Sequence, residues 1–301
     1  MPVALSRGGI RAAQEFETGQ KRPLEKETGT MVLSVNTNIG AMIALQNLNS
    51  TNSKLEKAQL NITTGLKVNG PKDDASTFAI AQNLRGDVRG WMSVQTALRG
   101  GESTVNVAIE GGREISDLLL EMKAKVVQAN QAGLDSVSRS AIHNDFTALR
   151  DQIASIVETA QFNGTNLIQS GSSTLTVLST VDGSTITISA QAMDTTTLNI
   201  QSLDLTSSAA ASTALGFIDS AIESVNSRLA NLGSSAKRLE VQGNFAVKIV
   251  DILKAGVGNL VDADMAEESA NLQSLQIKQQ LGVQALSIAN QSPQTILSLF
   301  Q

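Results

Sequence analysis

Apolar side chains recur in a four-three rhythm along the last third of the chain: Ile218, Ile222, Val225, Leu229, Leu232, Ala236, Leu239, Gly243, Ala246, Val250, Leu253, Val257, Leu260 and Asp264. Only Gly243 and Asp264 interrupt the apolar run. A chain that is 41% hydrophobic would fill about six of these positions by chance. The rhythm predicts a long helix from about Ala214, packed lengthwise against other helices, with a soft spot over 256–264.

A more polar version of this seam lies near the other end. Leu45, Leu48, Asn52, Leu55, Gln59, Ile62 and Leu66 predict a helix over 32–66, capped by Asn38 or Thr37. Gly65, Asn69, Gly70 and Pro71 break it. A second helix is expected over 74–130, with Asp73 or Asp74 as its cap and Leu84, Val88, Trp91, Leu98, Val105, Ile109, Ile115, Leu119, Met122 and Val126 on one face. Inside it, Gly100, Gly101, Gly111 and Gly112 mark weak points or sites of close approach. After a turn at Gly133-Leu134-Asp135, a third helix follows on Ile142, Phe146, Leu149, Ile153 and Ile156, and Asn163-Gly164 ends it.

Between 170 and 208 the period changes to two. Leu175 and Val177, then Ile186 and Ile188, alternate with polar residues on either side of Asp182-Gly183, a two-residue hairpin signal. Leu198, Ile200, Leu203 and Leu205 predict a third extended segment, and 207–213 reads as a small-residue linker. A last helix is expected over 266–288, with Pro293 kinking it or separating it from an apolar tail. The order is nearly a palindrome: helix, break, helices, small β insert, helix, break, helix. The fold class is therefore mainly α, an elongated rod of long antiparallel helices that turns at a β-hairpin region and brings both ends together.

Composition removes most chemical alternatives. Aromatics make up 3% of the 301 residues, with one Trp and no Tyr, which is poor material for base stacking or an enzyme core. Net charge is −5 without a basic block, so nothing points to nucleic acid. No apolar run approaches the ~20 residues of a membrane span. Cysteine is absent, which excludes disulfides and thiolate chemistry. The first 30 residues read as a disordered extension without the apolar core of a secretory signal, and Met31 opens the patterned chain.

Candidate sites are few. Asp73-Asp74 is a possible carboxylate pair, but a helix cap explains it better. His143, the single histidine, lacks partners for a metal site or triad. Trp91 between Arg89 and Arg99 fits a cation–π platform or, better, packing. Asn49, Asn61 and Asn163 head N-x-S/T sequons, and Ser172, Ser173 and Thr174 are candidates for O-linked sugars. No cofactor, metal or catalytic residue is expected, and the chain is not read as an enzyme.

Five blocks, in order, carry a family resemblance. Ser34-Val35-Asn36-Thr37-Asn38 resembles the opening S-I-N-T-N of bacterial flagellins. Thr63-Thr64-Gly65-Leu66-Lys67-Val68-Asn69 followed by Lys72-Asp73-Asp74-Ala75 resembles their S-S-G-L-R-I-N…K-D-D-A. Gln161-Phe162-Asn163-Gly164, Asp262-Ala263-Asp264-Met265-Ala266-Glu267-Glu268 and Ala289-Asn290-Gln291-Ser292-Pro293-Gln294 with Ile296-Leu297-Ser298-Leu299 complete the series.

The resemblance implies a compact flagellin without large outer domains. It divides the chain into 31–72 with 262–301 as a coiled-coil filament-core domain, 73–170 with 209–261 as a helical rod, and 171–208 as the rod's β-hairpin part. It implies a self-assembly core of Asn36, Asn38, Leu45, Leu48, Leu55 and Ile62 with Leu272, Leu275, Leu281, Leu286, Asn290, Leu297 and Leu299. The implied partners are other copies of the chain in a helical filament, the flagellar export apparatus and export chaperone, and hook-junction and cap proteins. The implied place is the extracellular filament, reached without a cleaved signal peptide.

One family motif departs. The stretch Q-R-V-R-E-L-A-V-Q, read in enteric flagellins by the toll-like receptor for flagellin, is matched by residues 120–128. Here Glu121 reverses a charge, Lys123 keeps one, Ala124 replaces a carboxylate and Gln128 is retained. Weak or absent recognition is expected. The alternatives to a filament subunit are a hook–filament junction protein, which shares the terminal helices, and a flagellin-type surface adhesion module.

Overall fold

The computed structural model describes residues 37–297, with side chains as far as Gln291. Among these run helices α1 (Ile39–Thr64), α2 (Ala75–Ala129), α3 (Ser136–Thr159), α4 (Ser208–Val261) and α5 (Met265–Leu297). Between α3 and α4 lie short strands β1 (Gln161–Phe162), β2 (Thr165–Asn166), β3 (Leu175–Leu178) and β4 (Thr185–Ile188). The described residues fall into two compact units, 37–55 with 273–297, and Glu56–Leu272.

The larger unit is built on α2 and α4, of 55 and 54 residues, each about 80 Å long at the helical rise. They run antiparallel. Ala81 packs with Val261, Trp91 meets Phe245, Gly112 faces Leu229 and Lys123 bridges Asp219. The heptad rhythm is the buried face of α4: Ile218, Val225, Leu232, Leu239 and Ala246 are at most 1% exposed. Ile222, Leu229 and Ala236 flank them, half-buried against the same core. Helix α3 closes on α2 through the fully buried Phe146 and Ile153.

The β3–β4 hairpin lies against α2, and the glycines of α2 make room for it. A Cβ on Gly101 would sit 2.5 Å from Val177 Cγ2, and one on Gly90 would sit 2.8 Å from Val181 Cγ1. Gly111 approaches Ala160 and Ile168, and Gly112 approaches Leu229 and Met193. Gly100, in contrast, faces open space.

Several boundaries differ from expectation. Helix α1 starts at Ile39 because Asn38 caps it, its Oδ1 accepting from Ala41 N at 3.0 Å. Helix α3 ends at Thr159, and Asn163-Gly164, both at positive φ, form the turn joining β1 to β2. The pairs Leu175–Ile188 and Val177–Ile186 fall as the alternation predicts, but the β3–β4 loop is longer than two residues. Ser179 N donates to Ser184 O, and the turn spans 180–183 with Gly183 at φ 90°. The segment 194–205 is not a strand: Leu198 N donates to Asp194 O, Ile200 N donates to Thr195 O, and Asn199 adopts φ 57°. Its apolar spacing served a turn cluster that buries Leu198, Ile200 and Leu205.

The expected linker 207–213 is the alanine-rich start of α4, with Ser207 as its cap. Nor does the soft spot begin at Gly256. Helix α4 continues through Gly256 and Gly258 to Val261, and only 262–264 separate it from α5. Helix α5 runs past Pro293 to Leu297, so Pro293 does not separate a tail there. The extension 1–30, Asn36 and Leu299 lie outside the described residues, as does the side chain of Leu297.

Candidate functional site

In the smaller unit the N-terminal part of α1 and the C-terminal part of α5 pair antiparallel. Asn38 Nδ2 donates to Ala289 O at 2.6 Å, and Gln279 Nε2 donates to Asn52 Oδ1 at 2.9 Å. Between them Gly282 lies against Leu48, where a Cβ would sit 3.2 Å from Leu48 Cδ1. The less exposed side of α5 reads Leu275, Gln279, Gly282, Leu286 and Ala289; that of α1 reads Ala41, Ala44, Leu48, Thr51, Asn52 and Leu55. This seam of small residues and amides draws two backbones close but covers little apolar surface.

The remaining apolar side chains face water. Ile39, Met42, Ile43 and Leu45 on α1 are 48–63% exposed, and Ile277, Leu281, Val283 and Ile288 on α5 are 55–65% exposed. The α1 set lines an open groove of about 570 Å³ with Gln46 and Asn49. Removing the rest of one such side chain from water is worth on the order of 1 kcal/mol. A large exposed apolar surface on a helix pair marks a contact face.

The residues predicted for self-assembly therefore fall on two sides. Asn38, Leu48, Leu55, Ile62, Leu272, Leu275 and Leu286 are half-buried or buried, while Leu45, Leu281 and Asn290 are exposed. Sequence reasoning missed Ile39, Met42, Ile43, Ile277, Val283 and Ile288, because they lie off the seam rhythm. Apolar residues outside a seam were the available signal.

In the larger unit, the two chain breaks are stitched together. Lys67 N donates to Val261 O at 2.7 Å and Ala263 N to Gly65 O at 2.9 Å. Buried Asn61 donates to Glu268 Oε1 and accepts from Asn69 Nδ2. Asp73 pairs with Lys57 at 3.0 Å, and Asp74 caps α2 by accepting from Ser76 N and Thr77 N. Both carboxyls are held below the usual value. The Lys57 ammonium is the main cause at Asp73, and the Thr77 hydroxyl is the main cause at Asp74. The pair is thus a brace and a cap. No three His, Asp or Glu cluster as metal ligands among the described residues.

His143 Nδ1 accepts from Leu205 N at 3.4 Å beside Asp204, which pins the 194–205 segment to α3. Trp91 meets Phe245 edge-on with centroids 6.1 Å apart. In the receptor-like stretch, Lys123 pairs with Asp219 at 2.7 Å, and Glu121, Ala124 and Gln128 are exposed.

Residues 35–174 match the family model for the bacterial flagellin N-terminal helical region, and residues 215–300 match that for the C-terminal helical region. Flagellin FljK of Caulobacter vibrioides is 46% identical over 269 residues, covering 89% of this chain and 98% of that protein. The chain belongs to the bacterial flagellin family. A flagellin of Brucella melitensis is 36% identical over 281 residues, covering 89% of this chain and 99% of its own. Among solved structures, a putative flagellar hook-associated protein from Vibrio parahaemolyticus overlays with a TM-score of 0.54, covering 63% of this chain and 100% of that one. At 15% identity that likeness is one of fold alone. For a flagellin family member, the matched N- and C-terminal regions include the paired α1 and α5 segments that expose their apolar side chains.

Proposed function

We propose that this chain is the structural subunit of a bacterial flagellar filament, assembled outside the cell for motility. One observation carries the reading beyond the family match: the paired segments of α1 and α5 leave Ile39, Met42, Ile43, Ile277, Leu281, Val283 and Ile288 in water. Other copies of the chain supply the missing cover. Asn36, Asn38, Leu48, Leu55, Leu272, Leu275, Leu286 and Asn290 shape the core contact, with Leu297 and Leu299 extending it. Head-to-tail contacts that do not close give an open helical polymer.

Export apparatus, chaperone, hook-junction and cap proteins are the further partners, and export needs no cleaved signal. Negative-stain microscopy of the purified chain with filament fragments tests the reading. Filaments should elongate from the seeds; a chain that stays unassembled beside active seeds overturns it.

The toll-like receptor for flagellin should respond weakly to this chain, because Glu121 and Ala124 depart from the motif it reads. Reporter cells exposed to the monomer check this. Potent activation would be the contrary result, and restoring Arg and Glu through Glu121→Arg and Ala124→Glu should raise the response.

A further inference from the structure

The chain contains two Asn-Gly pairs, Asn69-Gly70 and Asn163-Gly164, and the fold treats them in opposite ways. Asn69 lies in the chain break and is held through both side chain and backbone. Its Nδ2 donates to Asn61 Oδ1 at 3.1 Å and to Leu66 O at 3.0 Å, and its N–H donates to Asp73 Oδ2 at 3.1 Å. Asn163 sits at the tip of the β1–β2 hairpin, exposed, with no hydrogen-bond partner for its side chain among the described residues. Gly164 beside it is exposed too, and nothing lies within 4 Å of its Cβ position.

A glycine after an asparagine leaves its own amide nitrogen unshielded, and its backbone reaches conformations closed to other residues. At φ 48° and 78° the pair fills a tight hairpin turn, and the glycine nitrogen must leave that geometry to meet the asparagine Cγ. Little opposes this. Strands β1 and β2 have two residues each, joined by the pairs Gln161–Asn166 and Phe162–Thr165, and Gln161 and Phe162 are exposed. A hairpin end of this kind opens locally without unfolding the core.

We infer that Asn163 is a site of spontaneous deamidation, and that the isoaspartate it yields loosens the larger unit. The Gly164 nitrogen gives up its proton to base and attacks Asn163 Cγ. The Cγ–Nδ2 bond breaks, ammonia leaves, and a cyclic imide closes. Water then opens the imide at either carbonyl, leaving aspartate or isoaspartate. In isoaspartate the main chain runs through the side-chain carbons and gains an extra atom, which a tight turn between paired strands cannot absorb. The displacement passes to Thr165 and Asn166. Asn166 Nδ2 donates to Val157 O at 2.6 Å and its Oδ1 accepts from Ile168 N at 2.9 Å, and the adjoining Leu167 and Ile168 are at most 1% exposed.

Ageing the purified full chain in mildly alkaline buffer, followed by peptide mass mapping, tests the site. Asn163 should convert at least about tenfold faster than Asn69, whose side-chain hydrogen bonds must break first. Methyl transfer from S-adenosylmethionine by a protein isoaspartyl methyltransferase should label the same peptide. Equal conversion at the two sites, or an aged chain with Asn163 intact, overturns the proposal. So does a sugar on Asn163, carried through its N-x-S/T sequon.

Thermal melting reads the consequence. The aged chain should melt below the fresh one. Asn163→Gln, whose longer side chain closes an imide far more slowly, should melt alike before and after ageing. Fresh Asn163→Asp adds the charge without lengthening the main chain and should melt close to the fresh unsubstituted chain. An aged chain that melts with the fresh one, or fresh Asn163→Asp melting as low as the aged chain, refutes loosening by the lengthened turn. None of these readouts needs a filament, so they stand or fall apart from the filament reading.

Discussion

At Gly101 helix α2 has room for a hydrogen and little more, because Val177 of the β3–β4 hairpin sits where a Cβ would go. Valine is stiff about χ1, so the clash is not relieved by a rotamer change. Gly101→Ala should destabilise the larger unit by about 1–3 kcal/mol. Gly100, one residue earlier, faces open space inside the same helix. Gly100→Ala should stabilise it by up to about 1 kcal/mol, since glycine is a poor helix former. Urea unfolding of the two variants checks the contrast; equal effects would mean the hairpin does not press on α2. The sequence flagged both glycines as equivalent. Which one has a neighbour depends on contacts some 76 residues along the chain, and no local pattern carries that. Gly243 is the reverse case: it breaks the seam, yet nothing lies within 4 Å of its Cβ position, and the structure gives no reason for it.

The elements owe their ends to side-chain caps, and several caps are carboxylates. Asp74 and Asp135 cap α2 and α3, Asp73 braces the chain break, and Asp204 holds the turn before α4. All four carboxyls are held below the usual 3.8. At Asp135 the main cause is Ser138, and at Asp204 it is the Thr206 N–H. A carboxyl depressed by folding contributes stability above its unfolded pKa and loses it as pH falls through the folded value. Thermal melts should therefore be flat from neutral pH to about 5 and drop below about pH 4. Asp74→Asn, which can still cap, should blunt that drop. A melting temperature unchanged into strong acid would contradict this account. Helix existence and type followed from periodicity, and Asp74 and Asn38 were legible as caps. The start of α4 and the turn cluster at 194–205 were not. Alanine-rich and period-two segments take their final form from what they pack against.

At the scale of the molecule, the chain divides at Leu55 and Gln273, while the ties Asn61–Glu268 and Lys67–Val261 fall inside the larger unit. A fragment of 56–272 should thus keep its helices and melt cooperatively, yet fail to polymerise because the exposed α1 and α5 faces are gone. Circular dichroism and seeded assembly of the fragment test both halves. Full filaments from it would contradict the proposed role of the terminal helices. A fragment cut at 67 and 261 should be less stable, having lost Asn61 and Glu268 and left Asn69 without its acceptor on α1.

The sequence by itself determined the helical class, the antiparallel out-and-back order and the seam of α4, because a seven-residue apolar repeat admits one buried face. It also carried the family blocks. Only the tertiary structure decided which glycines are contact sites, which seam residues of the terminal helices are covered, and which apolar residues are left outside. Those outcomes depend on how far each helix face is from a partner, and two helices paired through small residues and amides cannot cover their own apolar flanks.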